Sequence, residues 1–154
     1  MKKLFLMSVF SLLLFACGTQ KTADVTSRDG LQNVNWVMVD DTGVVSVGEG
    51  ENVKPLSIRF FSGKVDSYSA FLGCNTITGK ISAGRYGDMK FFDGATTRKA
   101  CPDMSYEKTF IEMIGKANKY QIIGEKLHFY RNDILLMTFE KEDVKKKERK
   151  EKHK

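Results

Sequence analysis

Residues 120–139 read YQIIGEKLHFYRNDILLMTF, and this stretch decides the fold. Three runs rich in apolar and aromatic residues are separated by two short segments of turn-forming residues, Gly124-Glu125 and Arg131-Asn132-Asp133. Connections this short join strands that lie side by side and run in opposite directions. The stretch therefore predicts a three-stranded antiparallel meander.

Further short strands are predicted upstream of the meander. Apolar residues there either alternate with polar ones or form short runs between turn residues, and both patterns are typical of strands. The predicted strands cover residues 36–39, 44–47, 56–60, 65–72, 77–81 and 89–92. The turn between the first two is Asp40-Asp41-Thr42-Gly43. A chain this rich in short strands with close turns favours an antiparallel sheet.

One amphipathic helix is predicted between these strands and the meander. It begins near Pro102-Asp103, where Asp103 or Ser105 can accept a hydrogen bond from a first-turn amide. An apolar stripe at helical spacing consists of Tyr106, Phe110, Met113 or Ile114, and Ala117. Glu107 lies off this stripe. The predicted fold class is α+β, an antiparallel sheet curled into a roll or open barrel with one packed amphipathic helix.

The N-terminal residues 1–20, MKKLFLMSVFSLLLFACGTQ, have the pattern of a secretory signal. Lys2 and Lys3 precede an apolar run that is too short to span a bilayer. The segment 14–18, LFACG, resembles the lipobox of bacterial lipoproteins, which implies removal of residues 1–16 and acylation of Cys17, with palmitate among the expected chains. Gly18 in place of aspartate implies sorting to the outer membrane. We therefore expect a protein tethered to the membrane by lipid at Cys17.

The net charge of +6 lies at the ends of the chain. Lys2, Lys3 and the lysine-rich residues 141–154 carry all of it, so the part between them is neutral. This distribution and the expected export disfavour nucleic-acid binding. We predict a flexible linker at 17–30, one domain at 31–140 and a disordered tail at 141–154 that either solubilises the protein or contacts anionic headgroups.

Cys74 and Cys101 remain once Cys17 is acylated, and an even pair in an exported protein favours a structural disulfide. A redox pair or a metal site fits less well. The chain has no Cys-x-x-Cys motif, and His128 and His153 are its only histidines. We expect neither a metal nor a cofactor.

Several short motifs together resemble the META domain of the heat-shock HslJ-like envelope lipoproteins. The resemblance covers about residues 31–140, all of the predicted domain. Its residues are Trp36 in the opening strand, Gly73-Cys74-Asn75, Gly79, 97–102 (TRKACP), Glu107, Phe110 and 124–127 (GEKL). The resemblance implies a small α+β domain, frequently lipid-anchored and linked to envelope stress or drug tolerance. It brings no catalytic residues with it.

The motif residues have structural interpretations of their own. Gly73 suits a backbone bend, and the amide of Asn75 can cap or bridge neighbouring backbone groups. Thr97 and Arg98 open the second motif, and Arg98 can pair with Glu107 or donate to backbone carbonyls near the helix start.

The sequence shows none of the usual combinations of catalytic residues. His128 alternates with apolar residues in a predicted strand and is expected to face solvent, which leaves a hydroxyl or thiol nucleophile without an evident base. Asp40, Asp41 and Glu51 are ordinary turn and loop carboxylates. We therefore expect a monomeric, non-catalytic envelope protein that binds a protein partner, a peptidoglycan-associated component or a small apolar ligand. The alternative is an accessory or inhibitory subunit of an envelope enzyme or secretion system.

Overall fold

Secondary structure in the computed structural model, which describes residues 28–48, 53–101 and 104–142, is mostly antiparallel strand. Two helices accompany the strands in these ranges, α1 (Arg28–Leu31) and α2 (Ser105–Lys116). The strands are β1 (Asn35–Asp40), β2 (Gly43–Val44), β3 (Ser46–Val47), β4 (Lys54–Pro55), β5 (Ser57–Phe61), β6 (Ser67–Phe71), β7 (Thr76–Ala83), β8 (Met89–Phe91), β9 (Ala95–Thr96), β10 (Lys119–Ile123), β11 (Lys126–Arg131) and β12 (Ile134–Lys141).

One sheet of strand order β10-β11-β12-β1-β5-β6-β7-β8 curls until its two ends meet. The backbone N–H of Met89 donates to the carbonyl of Asn118 at 3.0 Å, and that of Tyr120 donates to Gly87 at 2.6 Å. These bonds link the segment around β8 to the start of β10, so the sheet is a nearly closed barrel. The predicted α+β class, with its curled antiparallel sheet, is confirmed, and the 120–139 meander forms β10, β11 and β12.

The strand predicted at 44–47 is wrong as a single element. Gly43–Val44 pairs with β1 in the large sheet, whereas Ser46–Val47 pairs with β4 in a separate two-stranded sheet. Val45 lies between the two and changes partners, since its N–H donates to Met38 and its carbonyl accepts from Leu56. A continuous apolar run does not reveal such a change of partner.

Aromatic side chains fill the interior of the barrel. Phe129 contacts three other rings, with centroid distances of 6.3 Å to Phe60, 5.7 Å to Phe91 and 5.1 Å to Phe139. Burying a side chain of this kind stabilises the fold by roughly 1.5–3 kcal/mol. Helix α2 joins this core through Phe110, whose ring meets that of Phe139 edge to face at 6.2 Å.

Helix α2 differs from its prediction in both its start and its stripe. It begins at Ser105, and Met104 at the N-cap makes no side-chain cap bond, while Asp103 lies outside the described residues. Tyr106 is 48% exposed, whereas Glu107 is only 7% exposed. The buried face of α2 therefore includes Glu107, whose carboxylate accepts a hydrogen bond from Asn75 in the turn between β6 and β7.

The structure describes a few residues on either side of the predicted 31–140 domain. Helix α1 begins at Arg28, and the carbonyl of Leu31 accepts a hydrogen bond from the indole Nε1 of Trp36 at 3.1 Å. Lys141 still pairs with Trp36, and the N–H of Glu142 donates to Asn35 at 2.8 Å. The rest of the predicted tail and linker, with Cys17, lies outside the described residues.

Gly79 leaves room for a buried ring on the neighbouring strand. It lies opposite Tyr68, and a Cβ at this position would come within 2.7 Å of the tyrosine Cε1. Tyr68 cannot retreat, because it is fully buried and packs edge to face on Phe91 at 4.9 Å. Gly79→Ala is expected to lower the free energy of unfolding by about 1–3 kcal/mol, as overpacking does.

Urea denaturation measures this effect, with Gly115→Ala as the matched control. A Cβ at Gly115 meets no atom within 4 Å, and alanine is the better helix former, so the control should be neutral or stabilising. Equal stability of the two variants would contradict the assignment of Gly79 to ring packing.

Candidate functional site

The turn between β6 and β7 places the first motif, Gly73-Cys74-Asn75. Gly73 has a φ of +106°, which disfavours any side chain, and a Cβ there would lie 2.6 Å from Cγ2 of Val47. The N–H of Leu72 donates to the carbonyl of Asn75 at 2.8 Å and closes the turn. The turn directs the side chain of Asn75 into the protein, where it is only 1% exposed.

The Asn75 amide uses two donor and two acceptor positions. Its Oδ1 accepts from the hydroxyl of Thr97 at 2.9 Å and from the N–H of Lys99 at 2.8 Å. Its Nδ2 donates to the carbonyl of Lys99 at 3.2 Å and to Oε2 of Glu107 at 3.0 Å. A side-chain amide has two N–H donors and an oxygen with two lone pairs, so its hydrogen-bonding capacity is full. We call Asn75, Thr97, Lys99 and Glu107 the Asn75 cluster.

A disulfide joins Cys74, the neighbour of Asn75, to Cys101. Their Cα atoms are 6.3 Å apart, within the range that a disulfide can span. Thr97 adds two further bonds to Thr76: its N–H donates to the carbonyl, and its hydroxyl accepts from the N–H, both at 3.0 Å. Segment 97–101 is thus fixed to the sheet along its length, next to the start of α2.

The predicted ion pair between Arg98 and Glu107 is not formed. Among the described residues Arg98 makes no hydrogen bond or ion pair, and its side chain lies exposed at the rim of a recess of about 610 Å³. Asn75 and Glu107 lie at the base of this recess. A buried carboxylate requires a donor, and Asn75 supplies it.

One family model covers the residues that form the Asn75 cluster, the disulfide and the curled sheet. The sequence model of the META domain matches residues 29–144. The chain belongs to the META domain family.

Solved structures show the same fold at low identity. An NMR structure of a protein from Burkholderia xenovorans is 18% identical, covers 72% of this chain and 83% of its own, and has a TM-score of 0.55. A second NMR structure is 19% identical, covers 73% of this chain and 92% of its own, and has a TM-score of 0.54. No curated protein sequence is detectably similar to the chain.

His128 of the META domain lies on β11, on the side of the strand away from the core. It is partly buried, not fully solvent-facing, and its Nδ1 lies 3.1 Å from the hydroxyl of Thr138 on β12. Burial, and secondarily the charge of Lys126, holds the pKa of His128 below its usual 6.5. Thr138 could not be predicted as the partner of His128, because the two residues meet only through strand register.

The lowered pKa of His128 makes a testable prediction about pH. As the pH falls, the imidazole of His128 takes up a proton in the unfolded chain before it does so in the folded domain. The neutral imidazole therefore contributes stability above pH 6.5, and this stability is lost as the pH falls through the lowered pKa of the folded domain. NMR titration of the imidazole resonances should give a midpoint below 6.5. Lys126→Gln should raise that midpoint only part of the way, because burial is the larger cause. A midpoint at or above 6.5 in the wild-type chain would contradict the partly buried position.

The remaining candidate residues that the structure describes do not form a catalytic or metal-binding cluster. Asp40 accepts from the N–H and hydroxyl of Thr42 at 2.8 and 2.6 Å, which lowers the pKa of Asp40 and stabilises the turn. Glu51 lies outside the described residues. Within the described ranges, no group of three or more His, Cys, Asp or Glu side chains is placed to hold a metal ion. In the same ranges, no helix has the length and apolar character needed to cross a membrane.

The sequence motifs did not indicate all of the contacts that their residues make. The structure brings Asn75, Thr97 and Glu107 together, whereas Arg98 stands apart. The contribution of the Lys99 backbone was missed, since a main-chain group leaves no mark in the sequence. The burial of Glu107 was missed because an acidic residue in a helix ordinarily lies on the solvent side.

Proposed function

We propose that this META domain protein is a non-catalytic, lipid-anchored binding module of the bacterial cell envelope, acting in stress tolerance. The observation that supports the proposal is that the buried polar groups of the sequence motifs are hydrogen-bonded to one another. Asn75 is saturated with hydrogen bonds, and it donates to Glu107. Polar groups committed in this way hold segment 97–101 and α2 against the sheet, and they are not available for proton or group transfer.

The pairing of His128 with Thr138 also favours a non-catalytic role. A histidine that activates a hydroxyl is usually oriented by a third group on its other ring nitrogen. Among the described residues, no carboxylate is hydrogen-bonded to the ring of His128, and the ring of Tyr130 lies 6.2 Å from it.

The envelope location is supported by two features of the chain. The lipobox-like residues 14–18 supply an acylation site at Cys17, and the Cys74–Cys101 disulfide suits an oxidising compartment. Two or three acyl chains anchor a protein stably, because each buried methylene contributes about 0.8 kcal/mol. Gly18 favours the outer membrane as the destination.

Intact mass of the protein extracted from the membrane fraction tests the anchor. The expected species begins at Cys17, carries acyl groups and exposes the thiols of Cys74 and Cys101 to alkylation only after reduction. A Cys17→Ser variant is the control and should lack the acyl mass. An unprocessed wild-type chain with free thiols would overturn the proposal.

Chemical crosslinking in intact cells tests the binding role. We expect an envelope protein or a cell-wall or small-molecule component to be recovered with the protein, without turnover of substrates by the purified chain. Recovery of one stoichiometric envelope enzyme would instead make the protein an accessory or inhibitory subunit. Hydrolytic activity that is lost in His128→Ala would overturn the non-catalytic role.

A further inference from the structure

A groove crosses the outer face of the barrel, opposite the core. It has a volume of about 740 Å³ and runs over β5, β6, β7 and the segment that follows β8. Phe61 closes one end and Phe92 the other, and the two rings are 38% and 44% exposed. We call this feature the Phe61–Phe92 groove.

Strand register places its central residues in one row. Phe61 pairs with Ser67, Ser67 pairs with Lys80, and the N–H of Phe92 donates to the carbonyl of Lys80 at 3.0 Å. Neighbouring strands are about 4.8 Å apart, so the two aromatic residues stand roughly 14 Å from each other. Ser69 and Thr78 form part of the next row. The floor therefore presents hydroxyl groups between two aromatic walls.

Three positively charged side chains lie in or beside the groove. Lys80 lies exposed at its centre and forms no ion pair with any described residue. Arg59 lies over the ring of Phe61 at 5.5 Å, and Lys90 lies over that of Phe92 at 5.3 Å. Asp93 is the acidic residue among the lining side chains. This arrangement is complementary to an extended molecule with negative charge near its middle.

The surface of the groove selects among possible occupants. A lipid chain or an apolar helix would cover the hydroxyls of Ser67, Ser69 and Thr78 and displace the water that is hydrogen-bonded to them. Neither occupant offers new hydrogen bonds in exchange, so its binding there is unfavourable. A sugar chain offers hydroxyls for the floor and C–H faces that pack on aromatic rings, and a carboxylate or phosphate on it would meet Lys80. Single-stranded nucleic acid also combines stacking with charge, but the expected export of the protein disfavours it.

We propose that the Phe61–Phe92 groove binds an anionic oligosaccharide segment. This inference rests on the proposed binding function and names its ligand class. The rings hold the two ends of the segment, the hydroxyl floor meets its hydroxyls, and Lys80 pairs with an acidic group between them.

Isothermal titration calorimetry with the full chain in detergent tests the proposal, using tetragalacturonate as the probe. Its methyl ester is the neutral control of the same length, and an oligothymidylate is the nucleic-acid control. We expect tetragalacturonate to bind and the ester to bind up to roughly fivefold more weakly, because an exposed ion pair contributes at most about 1 kcal/mol. Phe61→Ala and Phe92→Ala should each weaken tetragalacturonate binding about tenfold, as loss of an aromatic contact does.

Lys80→Gln should bring tetragalacturonate binding down to that of the ester. Tyr86→Ala and Lys108→Gln remove an exposed aromatic ring and an exposed charge outside the groove, and both should bind as the wild type does. All of these side chains are exposed, so unchanged far-ultraviolet circular dichroism separates a binding effect from misfolding. Equal binding of acid and ester, or preference for oligothymidylate, would overturn the proposal. Absence of binding by every probe would overturn it too. The proposed function would not fall with it, because the intact-mass and crosslinking experiments test that function separately.

Discussion

Replacement of Cys74 and Cys101 by serine is expected to lower the free energy of unfolding by roughly 3–4 kcal/mol. The disulfide closes a loop with a sequence separation of 27 residues. Without it the unfolded chain gains conformational freedom, whereas the folded chain keeps the hydrogen bonds of the Asn75 cluster. A loss of this size is a large part of the stability of a small domain.

Chemical denaturation of the double variant, with and without reductant, measures this contribution. Reductant should bring the wild type to the stability of the variant and should leave the variant unchanged. Single replacements are less informative, because each leaves a free thiol. A change below about 1 kcal/mol would contradict a stabilising role for the disulfide, given the 2–5 kcal/mol usual for native disulfides of small secreted domains.

The sequence predicted the parts of the fold that depend on local patterns. Alternating residues and short turns were enough for β5 and for the meander β10–β12, because burial on one face of a strand imposes a period of two. The disulfide also followed from the cysteine count and the expected export. The pairs β3 with β4 and β7 with β9 did not, since strands of two residues are too short to show a period.

The candidate site was predicted less completely, because its partners are far apart in the sequence. Asn75 meets Thr97 across 22 positions and Glu107 across 32. A family motif marks such residues but does not say which of them touch. Arg98 beside Glu107 is the plausible charge pair, yet the shorter amide of Asn75 reaches the carboxylate and leaves Arg98 in solvent. The row of residues across the Phe61–Phe92 groove was not predicted for the same reason, since strand register alone brings Phe61, Ser67 and Lys80 together.

Asn75→Asp is the second substitution with a large expected effect, and its effect should depend on pH. Asparagine and aspartate have nearly the same shape, so the change replaces a donor by an acceptor without leaving a cavity. The new carboxyl faces Oε2 of Glu107, to which Nδ2 of Asn75 donates at 3.0 Å, in a site that is almost closed to water. Two carboxylates this close share one proton, which raises the pKa of the pair above that of the unfolded chain.

The sign of the pH dependence follows from this shared proton. In acid the proton restores a hydrogen bond between the two carboxyls, so the variant should be most stable there, with only the bond to the Lys99 carbonyl lost. As the pH rises above about 4, the unfolded chain releases the proton while the folded variant keeps it, so stability falls by up to about 1.4 kcal/mol per pH unit until the raised folded pKa is passed. We expect a loss of roughly 3 kcal/mol relative to the wild type near neutral pH, comparable with an uncompensated buried charge.

Asn35→Asp provides the matched control for this measurement. Nδ2 of Asn35 donates to Oε2 of Glu142 at 2.8 Å, so the same substitution again sets two carboxyls face to face, but at a site that is only partly buried. Solvent screens the repulsion there, and the loss should stay below about 1 kcal/mol with little dependence on pH. Urea denaturation of both variants between pH 4 and 8 makes the comparison. A loss in Asn75→Asp that does not change with pH would mean that the Asn75 amide acts only through its bonds to Thr97 and Lys99, and that its contact with Glu107 contributes nothing to holding helix α2 on the sheet.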